Sequence, residues 1–274
     1  MEEQFSRTEL LLGSEGMDRL AQSRVAVFGM GGVGGYVVES LVRSGIGAID
    51  LIDHDQVSLS NLNRQIIATR DTVGRDKVEV MRERIESINP DCRVTVHRCF
   101  YLPETRHAFD FTQYSYVVDA IDTVTGKIQL ILQAQETGTP VISSMGTGNK
   151  LNPAELQVAD IYETSVCPLA KVMRKELRKR GVAQLKVVYS REQPVMVKEL
   201  RDAGAAGMAG TGESVEVAGT AGAKGLENVG AEALGQDASV GRRKPVPGSV
   251  SFVPPAAGLL LASEVVKDLV ADVC

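Results

Sequence analysis

Short, almost wholly apolar runs alternate along this chain with stretches in which apolar residues recur every third or fourth position. Val25-Ala26-Val27-Phe28, Ile49-Asp50-Leu51-Ile52, Tyr116-Val117-Val118-Asp119-Ala120-Ile121-Asp122 and Thr139-Pro140-Val141-Ile142-Ser143-Ser144 read as buried strands, and Val94-Thr95-Val96 as a shorter one. Between them the spacing predicts helices from Tyr36 to about Ser44, from Asp76 to Ile88, and from about Thr125 to Thr137. The second carries Val78, Met81, Ile85 and Ile88 as a stripe and stops at Asn89-Pro90, because the residue before a proline avoids helical backbone. Residues 5–22, with Leu10, Leu11, Leu12, Met17 and Leu20, predict one or two short helices. Strands and helices alternating at this spacing predict an α/β fold, a Rossmann-like, doubly wound and mostly parallel sheet.

The pattern changes after Gly146. Leu156–Ile161 and Leu185–Tyr189 are strand-like and predict antiparallel strands extending the sheet, with a basic helix between them. Over 202–241 Gly, Ala, Glu, Ser and Thr dominate and aromatic residues are absent. Such a composition buries little apolar surface, so a mobile insert is expected there. The apolar segment from Val253 to Val266, interrupted by Glu264, is too short for a bilayer and predicts a core helix.

Chemistry concentrates at the ends of the early strands. Gly29, Gly31 and Gly34, with Gly32 added, follow the first strand and open a helix, the arrangement that brings backbone N–H groups against a phosphate. Asp53 follows the second strand, where a dinucleotide fold holds a ribose. The run Asp53-His54-Asp55-Gln56-Val57-Ser58-Leu59-Ser60-Asn61-Leu62-Asn63-Arg64-Gln65 is more than hydride transfer needs. Asn61 and Arg64 are one helical turn apart, and Arg offers a bidentate fork to phosphate oxygens. Lys77 starts a helix, where the helix dipole disfavours a cation, so an anionic ligand is expected nearby. Asp122 is expected at the end of a parallel strand, on the edge where such sheets bind ligands; a carboxylate there beside a triphosphate would hold Mg²⁺.

Bulk properties narrow the class. With 274 residues, a net charge of −5 and 43% hydrophobic residues, the chain reads as a soluble globular enzyme with no general affinity for nucleic acid. The acidic start Met1-Glu2-Glu3-Gln4 has no apolar run behind it, so no signal peptide and a cytoplasmic location are expected. Four cysteines (Cys92, Cys99, Cys167, Cys274) form no C-x-x-C pair, which argues against a structural zinc and a disulfide framework. The three histidines (His54, His97, His107) lie at no metal-ligand spacing and read as structural or surface residues.

Together, Gly29-x-Gly31-Gly32-x-Gly34, the Asp53 to Gln65 block, Lys77 and Asp122 resemble the ubiquitin-activating-enzyme-like adenylation family, which includes activators of molybdopterin and thiamin sulfur carriers. The likeness covers roughly residues 5–146. It implies ATP as substrate, attacked at its α-phosphate by a carboxylate. By position, Gly29, Gly31, Gly32, Gly34, Asp53, Asp55, Ser60, Gln65 and Thr123 would line the nucleotide site. Asn61, Arg64 and Lys77 would neutralise moving phosphate charge, Asp122 would hold Mg²⁺, and Arg7 would reach the partner's ATP across a homodimer. One adenylation domain is implied, with a nucleotide half at 1–146 and a substrate and dimer half at 147–274.

Three further segments, Phe5–Gly13, Ser165–Lys171 and Pro247–Gly258, look like the branch of that family acting on threonylcarbamoyladenosine in tRNA. That branch implies ATP-dependent cyclisation of the threonylcarbamoyl group beside the anticodon, with a monovalent cation and sulfur-acceptor or cysteine-desulfurase proteins as possible company, and neither DNA nor membrane as partner. The helix Lys171–Arg180 carries six basic residues against one acidic, so Lys171, Arg174, Lys175, Arg178 and Lys179 are candidate RNA contacts, as are Arg242, Arg243 and Lys244. Cys167 starts that helix, a position that activates thiols, although intramolecular cyclisation needs none. Two other readings stay open here: an activator of the C-terminal glycine of a sulfur-carrier protein, and a nucleotide-dependent scaffold without turnover.

Overall fold

The computed structural model describes residues 3–196 and 247–273. The expected insert at 202–241, the Arg242, Arg243 and Lys244 cluster, and Cys274 lie outside them. Seven strands form one sheet: β1 (Arg24–Phe28), β2 (Ala48–Ile52), β3 (Arg93–His97), β4 (Tyr116–Asp119), β5 (Val141–Ser144), β6 (Leu156–Asp160) and β7 (Lys186–Ser190). Their order is β3-β2-β1-β4-β5-β7-β6. All neighbours run parallel except β6, antiparallel to β7 at the edge. The expected antiparallel extension is thus one strand, since β7 continues the parallel set.

Successive side chains of a strand point to opposite faces, and the strand cores divide accordingly. Val25 and Val27 of β1 pack with α1 (Ser6–Gln22), α2 (Gly34–Arg43), α3 (Lys77–Ile88) and α6 (Val253–Val270). Ala26 and Phe28 face α4 (Val124–Thr137) and the aromatic residues Tyr101, Phe109 and Phe111. α5 (Pro168–Lys179) packs beside α4 over β7. Helices on both faces explain why β1, β2 and β4 read as continuous apolar runs rather than alternating ones. α1 kinks at Gly13, so both forms expected for residues 5–22 are present in one element. Met17 and Leu20 reach the core, while Leu10 and Leu11 stay 86% and 85% exposed. α6 accommodates Pro254 and Pro255 in its first turn, where no intrahelical N–H is lost. Among the described residues no helix is long and apolar enough to cross a membrane.

Buried charged residues also sit inside this apolar frame, Asp50, Asp119 and Lys127 among them. Asp50 of β2 is almost fully buried and accepts hydrogen bonds from Arg24 at 2.7 and 2.9 Å and Tyr114 Oη at 3.2 Å, and it lies 2.8 Å from His97 Nε2. Asp119, at the end of β4, pairs with Lys127 of α4 at 3.0 Å, both fully buried. Ser143 Oγ donates to Asp119 at 2.5 Å, and Lys127 also donates to the Ser144 carbonyl at 2.7 Å.

Candidate active site

β1 lies between β2 and β4, and the strand order reverses there. The crevice beyond the carboxyl ends of β1 and β4 is therefore where an open α/β sheet takes its ligand. The glycine turn enters it from β1. Gly29 has φ +96°, and a Cβ there would lie 2.7 Å from the Ala120 carbonyl oxygen. A Cβ on Gly34 would lie 1.8 Å from the Gly29 oxygen. These two glycines let the turn close and press against the β4 connection. Gly31 differs, because a Cβ there would meet no described atom within 4 Å. At Gly32 a Cβ would come within 3.2 Å of both Arg64 Cγ and Pro254 Cβ. A larger side chain at Gly32 therefore displaces Arg64, whereas Gly31 borders open space.

Asp53 ties this turn to the end of β2. Its Oδ2 accepts from the Met30 N–H at 2.6 Å and its Oδ1 from the Asp55 N–H at 2.8 Å. Lys77 stands at the N-terminus of α3, 5% exposed, with Nζ 2.6 Å from Asp55 Oδ2 and 3.9 Å from Asp53 Oδ2. Asp55 thus supplies the anionic partner that the helix position alone did not explain. Asp53, His54 and Asp55 also form a group whose ligand atoms lie within 4.8 Å, but Lys77 already answers its charge.

The residues after β2 form a tight turn over Leu59–Asn61. Asn61 is buried and spends its Oδ1 on the Ser58 N–H at 3.1 Å, so its amide nitrogen is the end left for a ligand. Ser60 Oγ pairs with Ser58 Oγ at 2.9 Å. Arg64 is half-buried, with Nη1 donating to the Ser60 carbonyl at 3.1 Å and Asn63 Oδ1 at 2.9 Å. Gln65 is 6% exposed, and its Oε1 is a buried acceptor without a donor among the described residues. The Thr123 hydroxyl, which can donate or accept, is likewise buried without a partner among the described residues. Unpartnered buried polar atoms at two predicted nucleotide positions fit a site completed by a ligand.

Asp122 departs from expectation. β4 ends at Asp119, so the strand-end carboxylate is the buried one held by Lys127. Asp122 lies three residues further, exposed and without a protein partner among the described residues, in the connection to α4. That freedom suits a cation better than the strand end would. The apolar run hid the difference, although an acid inside it was itself a signal, and Lys127 on the apolar face of α4 was another.

Other predicted residues lie apart from this crevice. Arg7 is exposed on α1, next to exposed Leu10 and Leu11. On α5, Arg174 turns inward to the Thr164 carbonyl at 2.8 Å, Arg178 lies 5.0 Å over the Tyr162 ring, and Lys179 pairs with Glu176 at 2.9 Å. Lys171 and Lys175 remain exposed and unpaired among the described residues. Cys167 is 2% exposed and packs with Met145, Ala170 and Met173, a core position. Cys92 is likewise buried. His97 serves Asp50, while His54 and His107 are exposed.

A buried ammonium, a guanidinium, an open glycine turn and an unpaired carboxylate thus follow the carboxyl ends of β1, β2 and β4. Comparison with known proteins gives the family. The model of the ThiF family matches residues 5–272. A tRNA threonylcarbamoyladenosine dehydratase of Bacillus subtilis (strain 168) is 40% identical over 98% of this chain and 96% of its own. The crystal structure of Escherichia coli tRNA N6-threonylcarbamoyladenosine dehydratase, TcdA, in complex with ATP aligns with a TM-score of 0.77 at 32% identity, covering 98% of this chain and 94% of that one. The adenylyltransferase and sulfurtransferase uba4 of Ogataea parapolymorpha is 33% identical over 57% of this chain and 39% of its own. With the family model matching residues 5–272 and the Bacillus subtilis relative aligning nearly end to end, the chain belongs to the ThiF family.

Proposed function

We propose that this protein is an ATP-dependent tRNA threonylcarbamoyladenosine dehydratase. The observation that carries the reading is the near full-length likeness to the Bacillus subtilis dehydratase, where likeness to the adenylyltransferase and sulfurtransferase uba4 covers 57% of the chain. In this reaction the threonyl carboxylate of the modified adenosine attacks the α-phosphorus of ATP and pyrophosphate leaves. A nitrogen or oxygen of the same threonylcarbamoyl group then attacks the activated carbonyl, and AMP departs with the former carboxylate oxygen.

The residues divide the work as follows. Gly29 and Gly34 shape the turn, Gly31 leaves room for phosphate, and Gly32 leaves room for Arg64. Arg64 and Lys77 stabilise charge building on the phosphate oxygens, with Asn61 and Gln65 beside them. Asp53 and Asp55 hold the turn and Lys77 in place before ATP arrives. Ser60 and Thr123 line the nucleotide. Mg²⁺, held by Asp122, would neutralise triphosphate charge, and Asp122's exposed, unpaired carboxylate fits that role. Arg7 beside exposed Leu10 and Leu11 supports a homodimer in which it serves the partner's nucleotide. Lys171 and Lys175 would take tRNA phosphates. One adenylation domain acting in the cytoplasm completes the reading; a monovalent cation and sulfur-acceptor proteins are accessory to it.

Mass spectrometry of tRNA nucleosides tests it. Threonylcarbamoylated tRNA incubated with the protein should lose the mass of one water from that nucleoside only when ATP is present. Unchanged nucleosides, together with ATP–pyrophosphate exchange on a sulfur-carrier protein, would overturn it.

A further inference from the structure

Arg64 is held by a hydrogen-bond chain that begins across the crevice, beyond β5. Asn149 there has φ +57°, a left-handed backbone that Asn tolerates better than most residues. Its N–H donates to the Gly248 carbonyl at 2.8 Å, and its Oδ1 accepts from the Gly248 N–H at 2.6 Å. The Asn149 carbonyl accepts a third bond, from the Val195 N–H at 2.8 Å. The next carbonyl after Gly248, that of Ser249, accepts from Asn63 Nδ2 at 3.0 Å. Asn63 Oδ1 in turn accepts from Arg64 Nη1 at 2.9 Å.

Residues 247–250 belong to no helix or strand, so these side chains do for that backbone what a sheet ladder would do. The same segment leads into α6, whose Pro254 Cβ, like Arg64 Cγ, lies 3.2 Å from where a Cβ on Gly32 would sit. The guanidinium of Arg64 is therefore tied through Asn63 to this strap. An arginine left to itself loses rotamer entropy on being fixed. Here that cost is met in folding, before a ligand arrives.

We infer that Asn63 and Asn149 are positioning residues for Arg64, acting through the Gly248–Ser249 strap. The inference rests on the proposed nucleotide role of Arg64. Neither asparagine is a candidate ligand contact; each acts on nucleotide binding through another residue.

Titration calorimetry of the full-length protein with α,β-methylene-ATP and magnesium chloride tests this. Asn149→Gly keeps the left-handed backbone and removes Oδ1; Asn63→Ala, at an exposed position, removes the next link. Each should weaken the analogue about fivefold, the worth of roughly one hydrogen bond, with the thermal midpoint still cooperative. Asn149→Asp, which keeps the acceptor, should restore affinity. In an Arg64→Ala background, Asn149→Gly should add nothing, since both act at one point. Additive losses, or unchanged affinity in Asn63→Ala and Asn149→Gly while Arg64→Ala is weakened, would overturn the positioning chain alone. Unchanged affinity in Arg64→Ala itself would overturn the nucleotide role of Arg64 beneath it. Should Asn149→Gly not fold, Asn63→Ala and its Arg64→Ala double variant decide the matter.

Discussion

Lys77 and Asp55 form an asymmetric ion pair at 2.6 Å, with the lysine side chain 6% exposed and the aspartate side chain 50% exposed. Asp55, with Asp53 at 3.9 Å, holds the ammonium near the glycine turn, to which Asp53 is itself bonded. Lys77→Met should leave the protein folded and lower kcat about 100-fold or more, the scale seen when one donor to a developing oxyanion is removed. Single-turnover AMP formation measures it. A variant losing less than threefold would remove Lys77 from the charge-stabilising set.

Gly31 and Gly34 should separate cleanly. Gly34→Ala drives a methyl into the Gly29 oxygen and should prevent native folding, read by circular dichroism. Gly31→Val should unfold at the wild-type temperature yet lose ATP affinity, because its side chain enters the open space of the turn. Equal destabilisation of both variants would contradict the division drawn here.

The Asp119–Lys127 pair is fully buried, so removing one partner strands a charge. Lys127→Met should cost about 3 kcal/mol or more in urea denaturation, and Asp119→Leu with Lys127→Met should recover most of it, as exchanged buried ion pairs often do. A double variant no better than the single one would show that the Asp119 links to Ser143 and the Ile121 N–H matter more than charge.

Asp50 gives a pH signature. Burial pushes its carboxyl up, but hydrogen bonds from His97 and Arg24, with the charge they bring, hold it below the usual 3.8. The folded state thus binds fewer protons than the unfolded chain below about pH 4. Its stabilisation is complete above that value and is lost as pH falls through the folded pKa. Asp50→Asn should lower stability at pH 7 and flatten the fall in urea midpoint below about pH 4. Parallel curves for the two proteins would assign the acid sensitivity to other carboxylates.

If Lys171 and Lys175 contact tRNA phosphates, replacing both with Ala should weaken tRNA binding uniformly and reduce the salt slope by about 2. Arg174→Ala, which removes an inward bond to Thr164, should leave the slope unchanged. Filter binding across salt concentrations distinguishes them. An unchanged slope in the double variant would move the RNA surface elsewhere.

The alternation of strands and helices, the glycine turn and the basic helix were legible in the sequence, because each is a local pattern; the order of the strands was not. A buried strand is apolar throughout, a helix repeats near every fourth residue, and a tight turn against a neighbouring strand needs glycine. The candidate residues Asp53, Asn61, Arg64, Gln65 and Lys77 could also be placed, since all five lie within one stretch after β2. Pairing decided the rest. Whether Asp119 or Asp122 ends the strand depends on Lys127 reaching back from α4, and the free carboxylate is known only once the other is neutralised. That Arg174 is committed and Lys175 is not follows from Thr164 lying under the helix. The chain from Asn149 through Gly248 and Ser249 to Asn63 joins residues up to 186 positions apart. A hydrogen bond across such a separation leaves no period and no spacing in the sequence, so only the folded backbone could bring it to Arg64.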